Sequence, residues 1–147
     1  MRMNARPLLS LILPLFALIL MPAAGSAQAA PPMGERVAVQ GGAYWTISVA
    51  ELQGMMASGS AGPLVNVHVP DQGDIAGTDL SISFREIADH LDELPADKDA
   101  AMVLYCRSGP MSVRAATTLA ELGYTRVYSL NGGFNAWAAA GLPMANE

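Results

Sequence analysis

Three short, mostly apolar runs, at 64–69 (the one rich in β-branched residues), 101–105 and 127–130, alternate with segments of helical character. That alternation constrains the fold more than any other feature of the chain. Continuous apolar runs of this length read as strands buried on both faces. Strands separated by helices pair in parallel, because each return to the sheet needs a crossover. The expected fold class is α/β, a small parallel β-sheet flanked by helices on both faces. A further strand is expected at 44–47. Ser48-Val49-Ala50-Glu51 reads as a capping box opening a helix to about residue 57. Ser83-Phe84-Arg85-Glu86 reads as a second box, opening a helix to about residue 93. Phe84, Ile87, Ala88 and Leu91 would form its apolar stripe. Residues 70–79 read as a loop. A helix is expected from Pro110 or Met111 to Leu122, with Gly123 as its stop. Asn131-Gly132-Gly133 reads as a turn before a last short helix at 134–140.

Before residue 30 the grammar is different. Arg2 and Arg6 precede an apolar run at 8–21, followed by Pro22 and a train of small residues. This is the three-part pattern of a secretory signal. The run has 14 residues and contains Ser10 and Pro14, whereas a membrane span needs about 20. Residues 1–29 are therefore read as a cleaved signal peptide rather than an uncleaved anchor. Cleavage after Ala27 or after Ala29 fits the small-residue rule equally well. Residues 30–43, rich in Pro, Gly and Ala, read as a flexible lead-in, and 44–147 as the folded domain. The mature protein is expected to be exported, periplasmic or secreted, with no membrane attachment after cleavage.

The 147 residues carry 8 Lys+Arg against 13 Asp+Glu, a net charge of −5. Arg2 and Arg6 account for all the leader's charge, so the remainder stands at −7. That balance argues against nucleic acid and against anionic lipid as partners. A single cysteine excludes an internal disulfide framework and a thiolate zinc cluster. No cofactor or metal is implied. Asp71, Asp74 and Asp79 lack the spacing of a calcium loop. Met33, Met55, Met56, Met102, Met111 and Met144 show no regular spacing and read as core filling rather than copper ligands. His90 falls on the polar side of its expected helix.

The cysteine sits where such a sheet places its chemistry, in the loop at the carboxyl end of a strand. The segment reads Leu104-Tyr105-Cys106-Arg107-Ser108-Gly109-Pro110-Met111-Ser112. Gly109 permits a tight turn and Pro110 suits a first helical turn. Successive N–H groups in such a loop, with the helix N-terminus, form an anion nest. A sulfur placed there is favoured as the nucleophilic thiolate, and Arg107 adds positive charge. The chemistry that follows is attack on an electrophilic sulfur or phosphorus carried by an anion. The alternative is a buried structural cysteine at a strand end. Loop length separates the two electrophiles. Phosphatases of related fold use Cys-x5-Arg, whose arginine clamps phosphate. The sixth residue after Cys106 is Ser112, and Arg114 lies within the helix. His68, at the end of an expected strand, is a candidate auxiliary acid or base or a structural histidine.

These motifs resemble those of the rhodanese-like family. The resemblance rests on Tyr105-Cys106-Arg107-Ser108-Gly109, on Arg114-Ala115-Ala116, on Leu122-Gly123-Tyr124, and on the stretch from Val127 through Asn131-Gly132-Gly133-Phe134 to Trp137. It implies a cysteine that carries a sulfane sulfur as a persulfide. It also implies a small-molecule sulfur donor, a thiol or cyanide acceptor, and a place for a partner protein. Cys106 would be catalytic, with Arg107, Ser108, Gly109, Met111 and Ser112 forming the anion- and substrate-binding loop. The upstream half departs from the family pattern. Asn66 and His68 stand where an Asp and an Arg are usual, and Asp74 where a His is usual. Met111 occupies the sixth loop position, often Arg or Thr in active members, and Pro110 withdraws one N–H donor. The expected function is sulfurtransferase chemistry through Cys106. The reading from a different class is a non-catalytic module that uses the same loop to bind an anionic ligand or a partner protein.

Overall fold

The computed structural model describes residues 32–145. The signal peptide expected at 1–29 and its cleavage sites lie outside the described residues. The elements run β1 (Glu35–Val39), β2 (Gly42–Ile47), α1 (Val49–Ser58), β3 (Leu64–Asn66), β4 (Leu80–Ser81), β5 (Met102–Tyr105), α2 (Pro110–Glu121), β6 (Val127–Leu130) and α3 (Gly133–Ala139). The six strands form one sheet in the order β1-β2-β6-β5-β3-β4. All neighbours are parallel except β1 and β2. The α/β class with helices on both faces is as expected, with an antiparallel strand added at one edge.

Alternation along the strands divides the core into two layers. Val65, Val67, Met102, Leu104, Cys106 and Val127 face Ala115, Ala116, Leu119 and Ala120 of α2. Leu64, Val103, Tyr105, Tyr128 and Leu130 face Leu52 and Met55 of α1 and Phe134 and Trp137 of α3. The first capping box forms as read. Glu51 N–H donates to Ser48 Oγ at 3.2 Å and Ser48 N–H donates to Glu51 Oε2 at 2.8 Å. The Ser48 N–H bond foremost, then a 2.8 Å bond donated by Ser48 Oγ to the same oxygen, hold the Glu51 carboxyl below its usual range.

Two segments differ from the sequence expectation. The stretch read as a flexible lead-in contains β1 and the start of β2. Val39 pairs with Gly42, so Gln40 and Gly41 make a two-residue hairpin turn, with Gly41 at φ +79°. The glycines that suggested a linker are the turn. The helix expected at 83–93 is absent and only a 3-10 turn, Ile87–Asp89, forms there. Ser83 Oγ accepts from Arg85 N–H at 3.3 Å, a local turn rather than a helix cap. Asp89, Asp92 and Glu93 would also crowd the negative end of such a helix. Phe84 and Ile87 are buried nonetheless, so the apolar pattern was set by the core and not by helical period.

Candidate active site around Cys106

Cys106 leaves the carboxyl end of β5 with its side chain on the α2 face, and is 1% exposed. Gly109 caps α2 at φ +121°, a backbone state that favours glycine, and Pro110 opens the helix. Gly109 N–H donates to Cys106 Sγ at 3.1 Å. The sulfur thus faces the amide end of α2, where partial positive charge collects.

The other side of the loop is held by α3. Phe134 N–H donates to Cys106 O at 2.9 Å and Asn135 N–H to Arg107 O at 3.0 Å. In a trans peptide the C=O and the following N–H point in opposite directions. With both carbonyls turned into α3, the N–H groups of Arg107 and Ser108 point away from it, outward into the turn of the loop. Gly133, at φ +55°, makes this approach feasible. A Cβ there would overlap Cys106 O and lie 2.7 Å from the Arg107 carbonyl carbon. The glycine pair that sequence reading treated as a turn is also the contact surface for the cysteine loop.

Ser112 is buried at the first turn of α2. Its Oγ lies 3.9 Å from Cys106 Sγ, bonds Gly109 O at 2.8 Å, and shares a 2.9 Å hydrogen bond with Ser129 Oγ. Ser129, buried in β6, was not singled out from the sequence. Its one signal was a hydroxyl inside the otherwise apolar Val127–Leu130 run. Arg107 and Ser108 are exposed, and Met111 is half-buried against the α2-side core.

His68 makes no side-chain hydrogen bond to Cys106 among the described residues. Its ring meets Phe134 edge-on at 5.8 Å, and Phe134 belongs to the layer on the opposite face from Cys106. Neither ring nitrogen has a hydrogen-bond partner among the described residues. Asn66 and Asp74, two of the departures from the family pattern, lie against each other. Asn66 Nδ2 donates to Asp74 Oδ1 at 2.9 Å, and Asn66 Oδ1 accepts His68 N–H at 2.9 Å. Tyr105 Oη donates to the same Asp74 oxygen at 3.1 Å and accepts Ile75 N–H at 3.1 Å. Burial pushes the Tyr105 phenol well above its ordinary range. This network ties the loop after β3 to the strand that delivers Cys106.

Residues 63–140 match the sequence profile of the rhodanese-like domain. The chain belongs to the rhodanese-like family. A sulfurtransferase of Allochromatium vinosum is 40% identical over 84 residues, covering 55% of this chain and 76% of that protein. Other curated relatives match over 48 to 97 residues, and the chain spans between 24% and 48% of their lengths. Among solved structures, a human single-domain sulfurtransferase superposes with a TM-score of 0.57 at 26% identity, covering 64% of this chain and 95% of that one. A Rhodopseudomonas palustris protein described as a possible tyrosine phosphatase superposes with a TM-score of 0.58 at 28% identity, covering 67% of this chain and 83% of that one. The phosphatase arginine has no counterpart here. The sixth residue after Cys106 is the buried Ser112, engaged with Gly109 and Ser129 inside the fold.

Proposed function

We propose that this rhodanese-like protein is a sulfurtransferase in which Cys106 carries the transferred sulfur. The Cys106 thiolate attacks the sulfane sulfur of a donor. A new S–S bond forms as the donor's bond to that sulfur breaks, and the electron pair leaves with the donor fragment, which is sulfite when the donor is thiosulfate. The terminal sulfur of the resulting persulfide then passes to an external thiophile, a thiol or cyanide. With one cysteine in the chain, the persulfide cannot be resolved internally as a disulfide. The observation that carries this reading is the Gly109 N–H donating to Cys106 Sγ at the start of α2. The turn-facing amides of Arg107 and Ser108 would hold the anionic terminal sulfur, and Arg107 would draw in anionic donors.

Intact mass after incubation with thiosulfate or with a polysulfide tests the proposal. The expected result is a gain of one sulfur atom in the wild type and none in Cys106→Ser. No gain with either donor would discard catalysis and leave an anion-binding module. The leader-like first 29 residues support action outside the cytoplasm, as a periplasmic or secreted protein. N-terminal sequencing of exported material should begin after Ala27 or Ala29. Recovery of Met1 in a membrane fraction would count against export of a free domain.

A further inference from the structure

Beyond the leader the chain has six basic residues against thirteen acidic ones. Two of the six, Arg85 and Arg114, gather on the side of the sheet that holds the cysteine, and a third, Arg107, is exposed on the cysteine loop itself. Phe84 is the organising residue. Its N–H donates to Val67 O at 3.1 Å, and Val67 is in turn bonded through its own N–H to Tyr105 O at 2.8 Å, next to Cys106. The Phe84 ring packs in the same core layer as Cys106 and Met111. The Arg114 guanidinium lies 5.0 Å from the ring centroid and that of Arg85 lies 5.4 Å from it. Two positive groups are therefore held on one aromatic ring, at 5.0 and 5.4 Å from its centroid. Arg114 sits about 6 Å along α2 from the helix start that carries the cysteine loop. Among the described residues the one ion pair is His90 with Glu93, so none of the three arginines is neutralised by a carboxylate.

Apolar side chains accompany these cations. Pro110 is exposed, Met111 is half-exposed, and Val113 is 37% exposed, all on the first turns of α2. Methionine and an apolar centre edged by arginine are what protein interfaces enrich relative to ordinary surface.

We infer that Arg85 and Arg114, fixed on Phe84, form with Pro110, Met111 and Val113 a docking surface for an acidic protein that presents a thiol to the Cys106 persulfide. The inference rests on the sulfur-transfer reading above. The acceptor's thiolate attacks the terminal sulfur, an S–S bond forms there, and the bond to Cys106 Sγ breaks with its electron pair returning to Sγ. No oxidant or reductant is consumed. Arg85 and Arg114 touch neither sulfur; they raise the local concentration and set the orientation of the acceptor.

The test begins with protein whose sulfur loading has been confirmed by mass, so a failure to load counts against the sulfur-transfer reading and not against the docking surface. Transfer is then timed to a synthetic peptide with one cysteine among aspartates and glutamates, to its asparagine and glutamine analogue, and to 2-mercaptoethanol. The acidic peptide should accept sulfur at least about tenfold faster than its neutral analogue at low salt. The advantage should vanish near 1 M salt, where the Debye length is about 3 Å. It should also vanish in Arg85→Glu/Arg114→Glu, while transfer to 2-mercaptoethanol keeps its wild-type rate. Equal rates for the two peptides would overturn the inference, as would an acidic preference that survives the double substitution. A parallel fall with 2-mercaptoethanol would overturn it too, by showing that the arginines merely support the loop. A dimer in sedimentation analysis that dissociates in the double variant would replace the acidic partner with a second copy of this chain.

Discussion

Gly133→Ala is expected to load sulfur about 100-fold more slowly than the wild type and to unfold at a lower urea concentration. Two effects combine at this position. Gly133 is at φ +55°, where a side chain costs about 1–2 kcal/mol. Its Cβ would also overlap the Cys106 carbonyl oxygen; that oxygen is backbone and a Cβ is fixed by its own backbone, so neither can swing aside. The loop and α3 must separate. That breaks the bonds from Phe134 N–H and Asn135 N–H to the loop carbonyls, and with them the orientation of the Arg107 and Ser108 amides. A displacement of about 1 Å at a reacting group is enough for the stated rate loss. Urea denaturation and time-resolved intact mass measure the two effects separately. Wild-type loading kinetics in Gly133→Ala would show that α3 does not set the loop.

The parts of the fold that could be read from the sequence are those governed by local rules. β5 and β6 are fully buried strands; β5 reads as an unbroken apolar run and β6 as one interrupted only by Ser129. The Ser48 box worked because all its partners lie within three residues. The hairpin strand β1 was hidden because its Gln40-Gly41 turn has a linker's composition, and its stability comes from pairing with β2, which itself needs β6. The segment at 83–93 carries a helical pattern, yet Phe84 and Ile87 reach the core from turns, since tertiary burial overrides local period.

The cysteine loop shows the same division. Cys106, Gly109 and the start of α2 were legible as a strand-to-helix turn. The grip of α3 on the loop carbonyls was not, because it joins residues 28 apart through backbone atoms that carry no side-chain signal. His68 lies two residues beyond the end of β3, and its ring packs edge-on against Phe134, a contact that local sequence does not show.

The Asn66–Asp74 pair yields the other large expected effect. Asn66 is 3% exposed, and its amide donates to Asp74 Oδ1 at 2.9 Å and to Gly73 O at 3.3 Å. Asn66→Asp turns a donor into a second carboxylate against the first. Two like charges about 4 Å apart at an effective dielectric near 20 repel by about 4 kcal/mol. The molecule can escape by keeping one proton on the pair, but holding it at neutral pH against an ordinary carboxylate pKa costs a similar amount, about 4 kcal/mol. The variant should therefore lose about 3–4 kcal/mol at pH 7. The sign with pH follows from the same proton. In the variant the folded pair binds a proton that the unfolded chain has released, so stability falls as pH rises from about 4 towards neutrality and returns as pH falls. Adding Asp74→His to Asn66→Asp places an imidazole N–H opposite the new carboxylate, the residue pair usual in the family at these positions. Most of the loss should then be recovered. Urea denaturation of wild type, single and double variants from about pH 4 to pH 7 measures all three terms of the cycle. A loss under about 1 kcal/mol that is flat with pH would show that the two side chains do not share the contact.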